Sequence, residues 1–220
     1  MPAGERSKRV GVFVREKLRH DIIFGRLEPG QKLRLDALQR DFGASVSTLR
    51  ESINFLSGEG FIEMRGQGGF FVPQLSRDNL RELTEARLLV ESHSTELAIK
   101  HGTMEWETKL VAAHHKLHRT EQMLSGGDES VRGDWHYFDR AFHQALIVGC
   151  GSSEIVKMHE LLISKCMRYH IKVGAERCLE AAAEHKALFD AALARDAVRA
   201  KTILREHLLR GEQYAAGALD

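Results

Sequence analysis

Proline is almost missing from this chain: of 220 residues, only Pro2, Pro29 and Pro73 are proline. With so few breakers, Pro29-Gly30 and Pro73 read as punctuation between structured segments. Cysteine is equally scarce. Cys150, Cys166 and Cys178 form neither an even set nor a metal-binding spacing, so reduced thiols are expected. No run approaches the roughly 18 consecutive apolar residues that span a bilayer, and the N-terminus lacks the apolar stretch of a signal peptide. The expectation is a soluble, cytoplasmic protein with no membrane partner. Neither charge sign dominates, with 32 Lys and Arg against 31 Asp and Glu. Catalytic signatures are lacking too: neither G-x-S-x-G nor H-E-x-x-H occurs.

What is present is unevenly spread. Residues 1–75 hold 12 basic and 9 acidic side chains, and residues 1–26 alone hold seven and three. A basic arm on a mildly acidic body suits contact with nucleic acid. Eleven of the twelve histidines lie after residue 75. Texture changes near residues 73–77, where proline stops and helical periodicity takes over, and this is the expected domain boundary: 1–75 and 76–220. In the first part, Val12, Leu18, Ile22 and Ile23 recur at near-helical spacing. "FIEMRGQGGFFV" reads as two short strands around a glycine-rich turn. The second part reads as six helices, over 77–101, 104–125, 131–149, 153–172, 176–194 and 196–214, packed as an antiparallel bundle. One break is expected near Gly174, and Asp196 is the expected N-cap of the last helix.

Residues 35–41 predict a short helix, followed by "DFGASVSTLRESINFLSGEGFI". Gly43 suits a tight turn between two helices, and Ser45 suits the N-cap of the second. There Leu49, Ile53 and Leu56 share one face, leaving Ser47, Thr48 and Arg50 on the solvent side of the first turn. Polar donors at a helix N-terminus are what reading DNA requires. The hairpin beyond, with Arg65–Gly69 at its tip, would form a wing beside the phosphate backbone.

The stretch from "DIIFGRLEPGQKL" through "LRESINFLSGEGFIE" to "GGFFV" resembles the winged helix of the GntR family. The resemblance implies a double-stranded DNA operator as partner. It places contacts on Arg34, Ser45, Val46, Ser47, Thr48 and Arg50, and on the wing at Arg65 and Gly66. Members commonly carry Arg directly after the capping Ser or Thr, where this chain has Val46. An apolar side chain can touch a thymine methyl but cannot pair with guanine. An unusual half-site is therefore expected.

In the second part, Asp139 and His143 stand at i, i+4 on one helix, at the edge of the stripe formed by Trp135, Phe138, Phe142 and Leu146. His185 and His207 are equidistant from Asp196, so antiparallel neighbours would bring them to one level. Three imidazoles and a carboxylate suit a divalent ion, zinc first, with nickel or manganese as alternatives. The competing reading is ordinary surface and helix-end histidines, expected for His114, His115 and His118. Arg87 sits on an apolar stripe, with Glu91 at i+4 as its simplest partner.

Residues 77–214 resemble the all-helical FCD domain of the FadR-type branch of that family, in its six-helix, VanR-like form. The carrying segments are "ELTEARLLVESHSTELAI", "FDRAFHQALIVGCGS" and "EHKALFDAALARDAVRAKTILREHL". The resemblance implies a metal held by Asp139, His143, His185 and His207. It also implies a carboxylic acid effector, a dicarboxylate among the candidates, near Arg87, Arg168, His136, Arg140 and Tyr169. A homodimeric repressor released by that acid is the expectation. Two rivals use the same residues: a metal-dependent hydrolase, and a helical module with a purely structural metal.

Overall fold

The computed structural model describes residues 3–172 and 175–219. The chain forms two compact units, Met1–Leu75 and Ser76–Asp220. None of the described helices is long and apolar enough to cross a membrane.

The first unit packs helix α1 (Ala3–Ile23) against α3 (Val46–Gly58), with the short α2 (Leu35–Phe42) beside α3. Val14, Leu18 and Ile22 of α1 meet a core that includes Leu38, Leu49, Ile53, Leu56 and Phe61, all buried. Val14 faces inward; Val12, expected there from its spacing, is 49% exposed. Helix α2 stops at Gly43, whose φ of 60° is the left-handed cap that glycine accepts without strain. Ser45 then starts α3, its Oγ accepting from the Thr48 backbone N–H at 3.2 Å. Such a cap contributes about 1 kcal/mol. Strands β1 (Lys32–Leu33), β2 (Glu63–Met64) and β3 (Phe70–Phe71) form an antiparallel sheet in the order β1-β3-β2. Lys32 and Glu63 both face Phe71, and Leu33 and Met64 both face Phe70. The hairpin matches the expected wing. Strand β1 carries no sequence signal, because two residues are too few for any period.

The second unit is built of α4 (Arg77–His101), α5 (Met104–Ser125), α6 (Arg132–Ile147), α7 (Ser153–His170), α8 (Ala175–Leu193) and α9 (Ala197–Gly217). All six fall close to their expected spans. Residues 129–131 and 148–150 are 3-10 turns flanking α6, so the helix expected over 131–149 gives up Val131 and its last two residues to them. The break expected near Gly174 lies outside the described residues. Ser76, Thr103, Ser152 and Asp196 cap their helices by accepting from backbone N–H groups. The core gathers Trp106, Leu110, Phe142, Leu146, Leu188 and Leu204.

The corner between α8 and α9 turns on Arg195, whose φ of 57° is the left-handed value that costs a non-glycine residue about 1–2 kcal/mol. Its guanidinium offsets that cost by donating to Ile99 O at 2.7 Å and Gly102 O at 2.9 Å, and it lies over the Trp106 ring. This ties the α8–α9 corner to the end of α4. The level at which α8 and α9 face each other is thereby held.

Candidate functional site

On the first unit, Ser45, Val46, Ser47 and Arg50 are all exposed along the first turn of α3. Thr48 is not. It is 7% exposed, with its Oγ1 2.9 Å from Ser45 Oγ. Its position in the cap turns it inward, correcting its expected place on the solvent side. The first turn of α3 contains no acidic residue, so the positive end of the helix dipole and its free N–H groups stand open to a phosphate. Arg34 is exposed at the start of α2. On the wing, Gly66 has a φ of 50°. Arg65 lies over the Phe71 ring and donates through Nε to Glu63 at 2.7 Å. Exposed pairs of this kind contribute about 0–1 kcal/mol, so Arg65 can exchange Glu63 for a phosphate at little cost.

In the second unit, Asp139 and His143 from α6, His185 from α8 and His207 from α9 converge, one ligand atom from each lying within 4.8 Å of the others. The three imidazoles turn Nε2 to a common centre. His143 Nε2 lies 3.2 Å from His207 Nε2, and His185 Nε2 lies 3.1 Å from Asp139 Oδ1. The opposite nitrogens all meet carboxylates: His143 Nδ1 meets Glu91, His185 Nδ1 meets Glu121 at 2.7 Å, and His207 Nδ1 meets Glu184 at 2.7 Å. A carboxylate can only accept, so each of these bonds puts a proton on Nδ1. Two neutral imidazoles then direct lone pairs at each other across 3.2 Å, an arrangement that a cation between them resolves. Carboxylates bracing the far nitrogen of each ligating imidazole are a recurring support for bound metals. The donor set therefore fits a divalent ion, and nitrogen-rich ligation suits zinc, nickel or manganese.

The electrostatics follow from that packing. Burial works to raise the pKa of Asp139, but the His185 hydrogen bond and the three imidazoles outweigh it and hold the carboxyl well below its usual range. Burial works the other way on His185, yet its bonds to Asp139 and Glu121 lift it to about 9. Burial pushes His207 down to about 3 against the pull of Glu184, and it also lowers His143. Without a metal, then, His185 holds the extra proton between two carboxylates.

Beside the cluster lies a small cavity of about 30 Å³, lined among others by Arg87, Trp135, Asp139, His170, Arg177 and His207. Arg87 Nη2, Arg177 Nη1 and Trp135 Nε1 are buried without a partner among the described residues. Unsatisfied buried donors cost about 1–3 kcal/mol each, and an anion in the cavity would relieve them. Arg87 does pair with Glu91, at 2.6 Å through Nε. The pair is bent to a larger purpose, because Glu91 also holds His143 and lies 3.0 Å from His159 Nε2.

Of the residues expected near an effector, only Arg87 lines this cavity. Arg140 pairs with Glu160 at 2.9 Å. The Tyr169 hydroxyl donates to Asn79 at 2.8 Å, beside the start of α4. Arg168 and His136 are buried but do not line the cavity, His136 packing its ring 5.1 Å from that of Trp135. His114, expected on the surface, is 7% exposed, its ring 4.1 Å from that of Phe189. Sequence reasoning missed Arg177, His170, Glu121 and Glu184. Glu121 and Glu184 brace imidazoles on other helices, and the seven-residue spacing of Arg177 and Glu184 on α8 is the local signal that could have paired those two.

Residues 82–210 match the FCD domain family, and residues 11–72 match the bacterial regulatory proteins of the gntR family. The chain is 32% identical over 198 residues to the HTH-type transcriptional repressor GlaR of Escherichia coli (strain K12), covering 87% of this chain and 89% of that protein. Among solved structures, E. coli McbR/YncC matches with a TM-score of 0.80 at 20% identity, over 96% of this chain and 99% of that one. The metal-free FCD domain of TM0439 matches with a TM-score of 0.54 at 20% identity, over 66% of this chain and 96% of that one. At such identities the structural likenesses show the fold alone.

Proposed function

This chain belongs to the GntR family of bacterial regulatory proteins and carries its FCD domain, and on that footing we propose that it is a repressor released by a small carboxylic acid. It is a DNA-binding transcriptional regulator through its winged helix, which sets aside the hydrolase reading of the same Asp and His residues. The repressor assignment draws on the relative GlaR, described as a transcriptional repressor.

One observation carries the effector reading: Arg87 and Arg177, each with an unsatisfied buried N–H, line one cavity together with Asp139 and His207. A guanidinium matches a carboxylate in charge and shape. A divalent ion held by Asp139, His143, His185 and His207 would supply a Lewis-acidic centre for a carboxylate oxygen. The chain's own part is to keep that centre dry and to aim the two arginines at it. The protein acts as a homodimer, with one α3 per operator half-site. Ser45, Ser47 and Arg50 face the bases and phosphates, Val46 favours a thymine methyl, and Arg34 and the wing hold the backbone. By linkage, the acid weakens operator binding by the factor with which DNA weakens acid binding.

The test is fluorescence polarisation on the fragment upstream of the gene, with zinc present and a panel of short mono- and dicarboxylic acids. At least one acid is expected to lower DNA affinity in a saturable way. If none shifts it while zinc is bound, the metal is structural and the sensing reading fails.

A further inference from the structure

The three glutamates behind the ligating imidazoles are not equivalent. Glu91 accepts from His143 Nδ1 through Oε1 and from Arg87 Nε, at 2.6 Å, through Oε2. Glu184 Oε2 accepts from His207 Nδ1 and from Arg177 Nη2, each at 2.7 Å. Glu121 accepts from His185 Nδ1 at 2.7 Å through Oε1; its Oε2 lies 3.6 Å from His118 Nδ1, and no arginine bonds to it among the described residues. Two helices have therefore built the same chain of imidazole, carboxylate and guanidinium. On α4, Arg87 and Glu91 are one turn apart; on α8, Arg177 and Glu184 are two turns apart. Both spacings keep arginine and glutamate on one helix face. Each chain starts at a candidate metal ligand and ends at a buried N–H without a partner among the described residues, Arg87 Nη2 or Arg177 Nη1, on residues lining the same cavity.

We infer that Glu91 and Glu184 are positioning residues that tie the two cavity arginines to metal-ligating imidazoles, so that loading the metal organises a two-guanidinium clamp for a carboxylate. Glu121 serves the metal alone. The inference rests on the carboxylate-sensing reading above and adds its internal linkage. The physical step is polarisation along hydrogen bonds. A cation at Nε2 makes Nδ1–H a stronger donor, which grips the glutamate and, through its second contact, stills the guanidinium. An anion on the guanidinium strengthens the same chain in the other direction. Coupling of this kind must be reciprocal.

The experiment compares Glu91→Gln, Glu184→Gln and Glu121→Gln in the full chain. Glutamine keeps the shape of the side chain but replaces one accepting oxygen by a donor: at Glu91 it can accept from only one of His143 and Arg87, and at Glu184, where Oε2 takes both bonds, the uncharged amide oxygen is the weaker acceptor for both. Zinc affinity is measured by chelator competition. Affinity for acetate, malonate, succinate, glutarate and adipate is then measured by calorimetry at saturating zinc. All three variants are expected to lose roughly 10–100-fold in zinc affinity. For the acid that the unaltered protein binds most tightly, Glu91→Gln and Glu184→Gln are expected to lose about tenfold in affinity, a coupling of ordinary size, while Glu121→Gln keeps it. Equal losses in all three, or none in Glu91→Gln and Glu184→Gln, overturn the linkage. If the unaltered protein binds zinc but none of the acids, the sensing reading fails first and takes the linkage with it. Should Glu91→Gln not fold by circular dichroism, Arg87→Lys probes the same chain from its outer end. Acid affinity is expected to fall about tenfold with zinc affinity unchanged; unchanged acid affinity overturns the proposal.

Discussion

Ser45, Ser47 and Arg50 stand in solvent on the winged helix, whereas Arg87, Glu91, His143 and His185 are buried in the helical unit. In the proposed function both sets of residues serve recognition, and the contrast shows how the size of the target decides the environment. A DNA duplex is long and charged, so its reader presents donors at the surface and leaves its own core apolar. A metal ion is small, and its binding strength comes from a shell fixed before it arrives. Such a shell must be buried, and buried charges persist only when paired. Hence the first unit buries few polar side chains beyond Asp21, Thr48 and Ser52, while the second buries a connected set of arginines, glutamates and histidines. The surface of α3 can change its operator without harm to the fold; the shell cannot lose a member so lightly.

That contrast can be broken most severely at His143. His143→Ala removes a ligand and a buried hydrogen bond to the Glu91 carboxylate, which is expected to destabilise the helical unit by about 1.5–3 kcal/mol. Zinc content should fall while DNA binding by the first unit, measured after refolding, is retained. Thermal unfolding with metal analysis checks this, and a stable, zinc-loaded variant would refute the site.

A smaller effect comes from pH. His185 must give up its extra proton to bind a metal, and its pKa in the metal-free protein is about 9. Zinc affinity is therefore expected to rise about tenfold per pH unit below that value and to level off above it. The metal-free protein behaves oppositely. The raised pKa of His185 contributes stability that is fully present below the unfolded value of 6.5 and is lost as pH rises through about 9. The difference in Tm between zinc-loaded and metal-free protein should widen across that window. A constant difference would mean that His185 is not a ligand.

The mildest changes belong to the first unit. Arg50→Ala is expected to weaken operator binding by about 1–3 kcal/mol and, if it contacts phosphate, to flatten the salt dependence, with Tm unchanged. Thr48→Val should show the reverse, a stability loss of about 1 kcal/mol from the disturbed cap with a smaller effect on DNA. Polarisation and thermal unfolding of the pair sharpen the line between reading and folding within a single helical turn.

The metal ligands were legible because their spacing is local or symmetric. Asp139 and His143 share a face by helical period, and His185 and His207 share a level because both lie equally far from Asp196. The tertiary ring distance of 4.8 Å between His185 and His207 agrees with that symmetry. Thr48 and His114 were misplaced for the same reason that the others were found: periodicity assigns a face but not what packs on it. Thr48 faces inward because the cap consumes its hydroxyl, and His114 is buried because Phe189 from α8 covers it. Arg177 and Glu184 look like surface charges on any helical wheel until α9 is laid beside them.

By itself the sequence determined the winged helix and its open α3 N-terminus, the six helices, and the Asp and three His that meet between them. Each of these depends on contacts within a few residues or on one turn. Only the tertiary structure decided which carboxylate stands behind which imidazole and which arginines reach the cavity. Those choices depend on how α4, α5, α8 and α9 are rotated about their own axes when they pack. That rotation is set by the whole core at once, so no stretch of sequence carries it alone.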